Sequence, residues 1–255
     1  MLFQIKIFKI SAVFLLLTIL WQTVTGLEFG IPSESDLLLE KQGFSMGYSH
    51  EFRQAVWVAY TLTAKELQAK QVRRKNTFKA DPAVKRRPVH PGEYAGTGYD
   101  KGHLAPAADM TYSLASMDNS FLMSNISPQL PGCNRGIWKR VENQVRRWAI
   151  QEKRLHIITG PVFGATPETM KKTSIPVPIA FYKVIYDLTP PNKMIGFLVP
   201  NTASKARVAS FAVSVDEIER ITGYDFFSEL PPHREKRLER QKDFAVWQSR
   251  SVEKK

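Results

Sequence analysis

Cysteine is almost absent from this chain of 255 residues: Cys133 stands alone. A single thiol excludes any disulfide within the chain and any cysteine-rich zinc site, so stability rests on packing. Histidine is scarce as well. Of the five, His50, His90, His156 and His233 have no partner at metal-ligand spacing, which argues against zinc. Acidic residues are outnumbered, 24 against 36 Lys and Arg, leaving a formal charge of +12. Such a surplus favours polyanions (nucleic acid, acidic lipid or acidic polysaccharide) without choosing among them. Internal repeats and low-complexity linkers are missing. A content of 43% hydrophobic and 24% charged residues excludes a disordered, collagen-like or multi-span membrane chain. The length suits one large domain or two small ones, and no shift in composition divides it.

Only one long apolar run exists, at the start. Lys6 and Lys9 precede a mostly apolar stretch from Ile10 to Trp21. Val24 and Gly26 then suit the −3 and −1 positions of a cleavage site. The run is shorter than the roughly 20 apolar residues of a membrane span. The expectation is a signal peptide over 1–26 and a single domain over 27–255, secreted or periplasmic, with no stable membrane association once the signal is removed. An uncleaved anchor or a buried helix is the alternative. One thiol agrees with an oxidising compartment.

Leu27 to Gly47 reads as a leader onto the domain. Phe52 to Leu62 is aromatic and β-branched and reads as a strand. Lys65 to His90 holds nine Lys and Arg against Glu66 and Asp81, with Pro82 and Pro88, and reads largely as loop. Phe121 to Ile126 is a short strand stopped by Pro128 and Pro131. Asn134 to Trp148 places Ile137, Val141, Val145 and Trp148 on one helical face. Leu155 to Thr159 reads as a buried strand ending at Gly160-Pro161, followed by strands over Ile179 to Tyr186 and Ile195 to Val199. Val215 to Gly223 reads as a helix with Gly223 as its C-cap. From Pro231 the tail is charged and helical. Strands and helices without regular βαβ alternation predict an α+β fold: a mixed, largely antiparallel central sheet flanked by helices.

Three segments carry the chemistry: Tyr99-Asp-Lys-Gly-His-Leu-Ala-Pro106, Ser124-Asn-Ile-Ser-Pro-Gln129 and Asn134-Arg-Gly-Ile-Trp-Lys-Arg-Val-Glu142. A histidine at a strand end, His103, can act as a general base near neutral pH, though a lone histidine is also a common surface or core residue. At about 100° per residue, Asn134, Glu142 and Arg146 form a polar strip beside the buried helical stripe. Asn134 would equally serve as an N-cap, and Glu142 as a helical partner for Arg146 or Lys139. One amide oxygen and one carboxylate on the same edge also suit a hard cation that keeps most of its waters, as Mg²⁺ does.

Taken in order and spacing, YDKGHLAPAADM, SNISPQ and NRGIWKRVE resemble the DNA/RNA non-specific endonuclease family, the ββα-metal or His-Me finger nucleases. WVAYTL, ITGP, IPVPIAFYKVI and VSVDEIERITGYDFFSELP extend the resemblance over nearly the whole chain beyond residue 26. The resemblance implies a ββα-metal finger within the fold. It makes His103 the base that takes a proton from the attacking water, and Asn134 the direct ligand of a single Mg²⁺, with Mn²⁺ an admissible substitute. Glu142 would hold the ion's waters, and Asn125 would support the site by hydrogen bonding. Lys101 and Arg146 would steady developing charge, and Arg74, Lys101 and Arg135 would meet phosphate. Lys101 stands in place of the family's arginine, keeping the charge but losing the bidentate fork. Phe121 stands where some members place a polar residue.

These roles imply hydrolysis of DNA and RNA phosphodiesters to 5′-phosphate products. Neutral His103 is required, so activity is expected to fall below about pH 6–6.5. The basic tract supplies sequence-independent attraction to the nucleic-acid backbone. A homodimer is compatible with the sequence. A catalytically weak or inactive nucleic-acid-binding relative is the alternative reading, and Cys133 reads as a packing residue.

Overall fold

A short hairpin opens the fold where the sequence suggested only a leader. A computed structural model describes residues 26–248; the segment read as a signal peptide lies outside the described residues as far as residue 25, and so does the tail after Gln248. The hairpin pairs β1 (Leu37–Lys41) with β2 (Phe44–Ser49). Gly43, at φ 107°, makes the turn in a left-handed conformation that disfavours other residues. The long strand β3 (Gln54–Thr63) follows and runs into α1 (Ala64–Gln68), whose start is closed by a capping box between Thr63 and Glu66. Beyond α1 the basic tract is irregular as far as His90.

The middle of the chain builds the finger. It comprises β4 (Asp100–His103), α2 (Leu114–Ser120), β5 (Ile126–Gln129), a wide π-type turn over Cys133–Trp138 and α3 (Lys139–Glu152). The strand expected over Phe121 to Ile126 begins only at Ile126 and runs through Pro128. Proline is accommodated because β5 has β4 as its one ladder partner, which leaves an edge that needs no donor. The helix expected from Asn134 is not continuous either. Gly136 leaves helical geometry at φ −103° and ψ −107°, and the regular helix starts at Lys139.

The remaining elements are β6 (Arg154–Val162), β7 (Ala180–Asp187), β8 (Lys193–Pro200), β9 (Ala212–Val213), α4 (Val215–Thr222) and α5 (Pro232–Glu239). β6 does not stop at Gly160-Pro161: both residues stay in register opposite Tyr182 and Phe181 of β7. The large sheet has the order β1-β2-β3-β6-β7-β8-β9 with every pairing antiparallel, and β4-β5 forms a separate small sheet.

Both faces of the large sheet are covered, which explains its nearly unbroken apolar strands. On β7, Phe181 and Ile185 face the cluster built with Val141, Val145 and Trp148 of α3, while Tyr182, Val184 and Tyr186 face Ile218 of α4 and Leu238 of α5. Each such side chain, fully buried, contributes roughly 1.5–3 kcal/mol. The alternation puts Lys183 on the α3 side, wholly buried, with Nζ 5.1 Å from the centre of the Trp138 ring. The packing that positions α3 therefore also sets a buried cation beneath it.

Candidate active site

β4 and β5 hold His103 at the point where the small sheet meets α3. The register places His103 opposite Ile126 and Gly102 opposite Ser127. Only glycine fits at 102, because a Cβ there would lie 2.2 Å from the Gln129 side chain. The chain beyond His103 is pinned by Asn125. Its Oδ1 accepts from the Ala105 amide, its Nδ2 donates to the carbonyls of Ala105 and Ser120, and its own carbonyl accepts from the Leu104 amide. Asn125 is completely buried. It fixes the backbone next to the imidazole and does not line the cleft.

Lys101, His103, Asn134, Arg135, Glu142 and Arg146, with Arg74, line one cleft of about 260 Å³. Every other residue selected from the sequence as a site candidate is thus gathered there. Asn134 arrives from the wide turn and not from a helix N-terminus, so the simple helical wheel does not describe how it joins Glu142 and Arg146. Its amide nitrogen donates to Asp100 at 3.0 Å, so it is no N-cap, and Oδ1 is the end of the amide left for a cation. Arg135 grips the same Asp100 carboxylate through Nε and a terminal nitrogen, although its side chain is 72% exposed. Against the upward push of partial burial, the bonds from Arg135 and Asn134 hold the Asp100 carboxyl below its ordinary value.

The imidazole sits between aromatic walls. Phe121 meets it edge-on at 5.1 Å between centres, and Phe78 lies at 5.4 Å. Its Nε2 is buried and has no hydrogen-bond partner. Burial, reinforced by the Arg74 charge, pushes the pKa of His103 down to about 3. The ring is therefore neutral far below the pH 6–6.5 expected from sequence; desolvation overrides the ordinary histidine value. Phe121, whose position left a polar contact open to question, supplies an apolar wall and a platform for Arg74, whose guanidinium lies 5.3 Å from the ring centre. Lys101 stands over Phe78 and Tyr94 at 5.5 and 5.6 Å.

Below the cleft lies a charged network. Arg146 donates to Asp109 at 2.6 Å, and Asp109 accepts from the Tyr60 hydroxyl at 2.8 Å. Burial pushes Glu142 up to about 7, opposed by the charges of Lys183 and Arg146. Burial likewise brings Lys183 down to about 8, opposed by Glu142 and Asp109. Sequence reasoning missed Lys139, which also lines the cleft, and left Asp100, Asp109, Tyr60 and Lys183 without roles. Asp100 had a signal, since it lies in the same motif as His103. Lys183 had only a weak one: a lysine inside an apolar strand. Cys133 is buried, and desolvation pushes its thiol up to about 11, in keeping with a packing residue.

The donor set fits a hard divalent cation. One amide oxygen is freed by Asp100, one carboxylate is half-buried, and the His103 imidazole lines the same cleft.

Residues 23–233 match the family described as DNA/RNA non-specific endonuclease. A nuclease from Nostoc sp. is 33% identical over 220 residues, covering 81% of this chain and 78% of the relative. Human mitochondrial endonuclease G is 28% identical over 216 residues, covering 78% and 72% respectively. Among solved structures, a crystal structure of the EndoG/EndoGI complex superposes with a TM-score of 0.76 at 26% identity, covering 80% of this chain and 91% of the matched one.

Proposed function

Because the chain belongs to the DNA/RNA non-specific endonuclease family, and is thereby a nucleic-acid hydrolase, we propose that it is a Mg²⁺-dependent endonuclease that cuts DNA and RNA with little regard for sequence. The single observation that carries this reading is the cleft itself: a neutral imidazole lines the same space as an amide oxygen and a carboxylate, ringed by cationic side chains.

In this reading the His103 imidazole takes the proton of the attacking water, an effect worth roughly 10²–10⁴-fold in rate. Phe78 and Phe121 wall the ring and keep it uncharged, so its lone pair is available. Asn134 holds the cation through Oδ1, and Glu142 holds the cation's waters; Mn²⁺ is an admissible substitute. A cation bound there would supply polarisation of the phosphoryl oxygen and stabilisation of the departing 3′ oxygen. Arg74, Lys101, Arg135 and Arg146 bind and orient the backbone around the scissile phosphate. Bond cleavage on that side leaves a 5′-phosphate and a 3′-hydroxyl. The basic tract beside Arg74 supplies attraction that depends on charge and not on base identity.

One nuclease domain over 27–255 and export directed by residues 1–26 complete the proposal. No helix of the described residues is long and apolar enough to cross a membrane. The relatives named mitochondrial make an organellar address the competing outcome, and the N-terminal sequence of the processed protein decides between them.

The test uses plasmid DNA and RNA with Mg²⁺, with EDTA, and with His103→Ala. Both substrates should be degraded, chelation should stop cutting, and the variant should retain DNA binding without turnover. Wild-type cutting by His103→Ala overturns the base assignment. Tight DNA retention with no Mg²⁺-dependent turnover by the wild type would make the protein an inactive binding relative.

A further inference from the structure

We infer that Asp216, Glu219 and Glu239 form a second cation site, selective for Ca²⁺ and separate from the catalytic cleft, that clasps α5 to α4. One ligand oxygen from each residue lies within 4.8 Å of the others. Ca²⁺ bonds to oxygen at about 2.3–2.6 Å, so ligands of one ion stand up to about 5 Å apart. Mg²⁺ demands bonds near 2.0–2.1 Å and keeps its waters, so it suits an all-carboxylate cage less well.

A cluster of acids is commonplace on a surface. This one is distinguished by Glu239, only 5% exposed, whose Oε1 is buried without a hydrogen-bond partner. A buried carboxylate oxygen left unpartnered is costly unless a proton or a cation meets it. An arginine on each of the two helices is committed elsewhere. Arg220 forks onto Glu217, and Arg234 donates to the Tyr186 hydroxyl and to Asn192. Glu219 spends Oε1 on the Phe226 amide at 3.0 Å, which orients its carboxylate while leaving acceptor capacity. Asp225 and Glu235 add further negative charge. Burial first, then these surrounding carboxylates, push Glu239 up to about 8. In a chain of net charge +12, so concentrated an acidic pocket is a local exception. Ile218 of α4 and Leu238 of α5 pack in the cluster across the sheet from α3, so the acidic pocket lies on the opposite face from the catalytic residues.

The experiment is thermal unfolding of the chelator-treated full-length protein with added CaCl₂. Wild type should gain on the order of 5 °C once Ca²⁺ is in hundredfold excess over its Kd. Asn134→Ala, which disables the catalytic cleft for metal, should show the same gain. Glu239→Gln and the double variant Asp216→Asn/Glu219→Gln should show none, yet melt no lower than wild type in EDTA, since each keeps the size of the side chain and an acceptor oxygen without adding charge to the acidic cluster. If Glu239→Gln fails to fold, the double variant decides. A wild type indifferent to Ca²⁺ overturns the proposal. So does a gain that survives in the carboxylate variants or vanishes in Asn134→Ala.

Discussion

The Asn134 side chain donates to the Asp100 carboxylate at 3.0 Å, tying the turn before α3 to the first residue of β4. That bond decides which end of the amide faces the cleft. A carboxylate that orients a cation's ligand typically governs affinity by 10–100-fold. Asp100→Ala should therefore raise the Mg²⁺ concentration needed for half-maximal cutting by about that factor, with much of the rate restored at saturating Mg²⁺. A metal titration of plasmid cleavage checks it, and an unchanged Mg²⁺ requirement would remove Asp100 from the site.

The acid limb of activity should belong to Glu142. His103 is already neutral above about pH 3, so falling pH does not protonate it in the working range. Burial raises the Glu142 carboxyl to about 7, so it is protonated below that value and, in its proposed role, would lose its hold on the cation's waters. Activity at limiting Mg²⁺ should drop as pH falls through about 7. More Mg²⁺ should move the midpoint lower, because cation and proton compete. Rate profiles at two Mg²⁺ concentrations test this; an identical limb at both would point to another group.

Phe121→Ala should weaken fold and chemistry together. The ring is 1% exposed and walls His103 and Phe78, so truncation costs about 3–5 kcal/mol. Water reaching the imidazole should carry its pKa upward towards the ordinary histidine value, adding a limb near pH 6.5 that the wild type lacks. Chemical denaturation and the pH profile of the variant read the two effects separately.

Two arginines of the same cleft should behave differently. Arg146 pairs with Asp109, which is 2% exposed and also accepts from Tyr60, so Arg146→Ala strands a buried carboxylate at about 3–5 kcal/mol. Arg135 pairs with Asp100 at a far more exposed position, where solvent screening should leave Arg135→Ala close to wild type in stability. Urea unfolding distinguishes them, and equal losses would contradict the burial argument.

Much of this architecture was readable from residue order. Val215 to Gly223 forms the expected helix with its expected stop, and the strands through Trp57, Ile157, Ile185 and Phe197 lie where apolar β-branched and aromatic residues concentrate. The gathering of His103, Asn134, Glu142 and Arg146 followed from motif resemblance more than from periodicity. Periodicity failed at Gly136, because a helical wheel assumes constant backbone angles and glycine released them. It failed at Leu37 to Ser49, where the strands are short and the turn signal rests on one glycine. The aromatic walls of the imidazole were invisible for another reason. Phe78 and Phe121 converge on His103 from distant segments, and no local pattern records that approach.

The helix α3 presents Glu142 and Arg146 along one border while Val141, Val145 and Trp148 anchor it in the interior. Loosening α3 would therefore disturb the border of the cleft and the interior packing together, since both are faces of one rod.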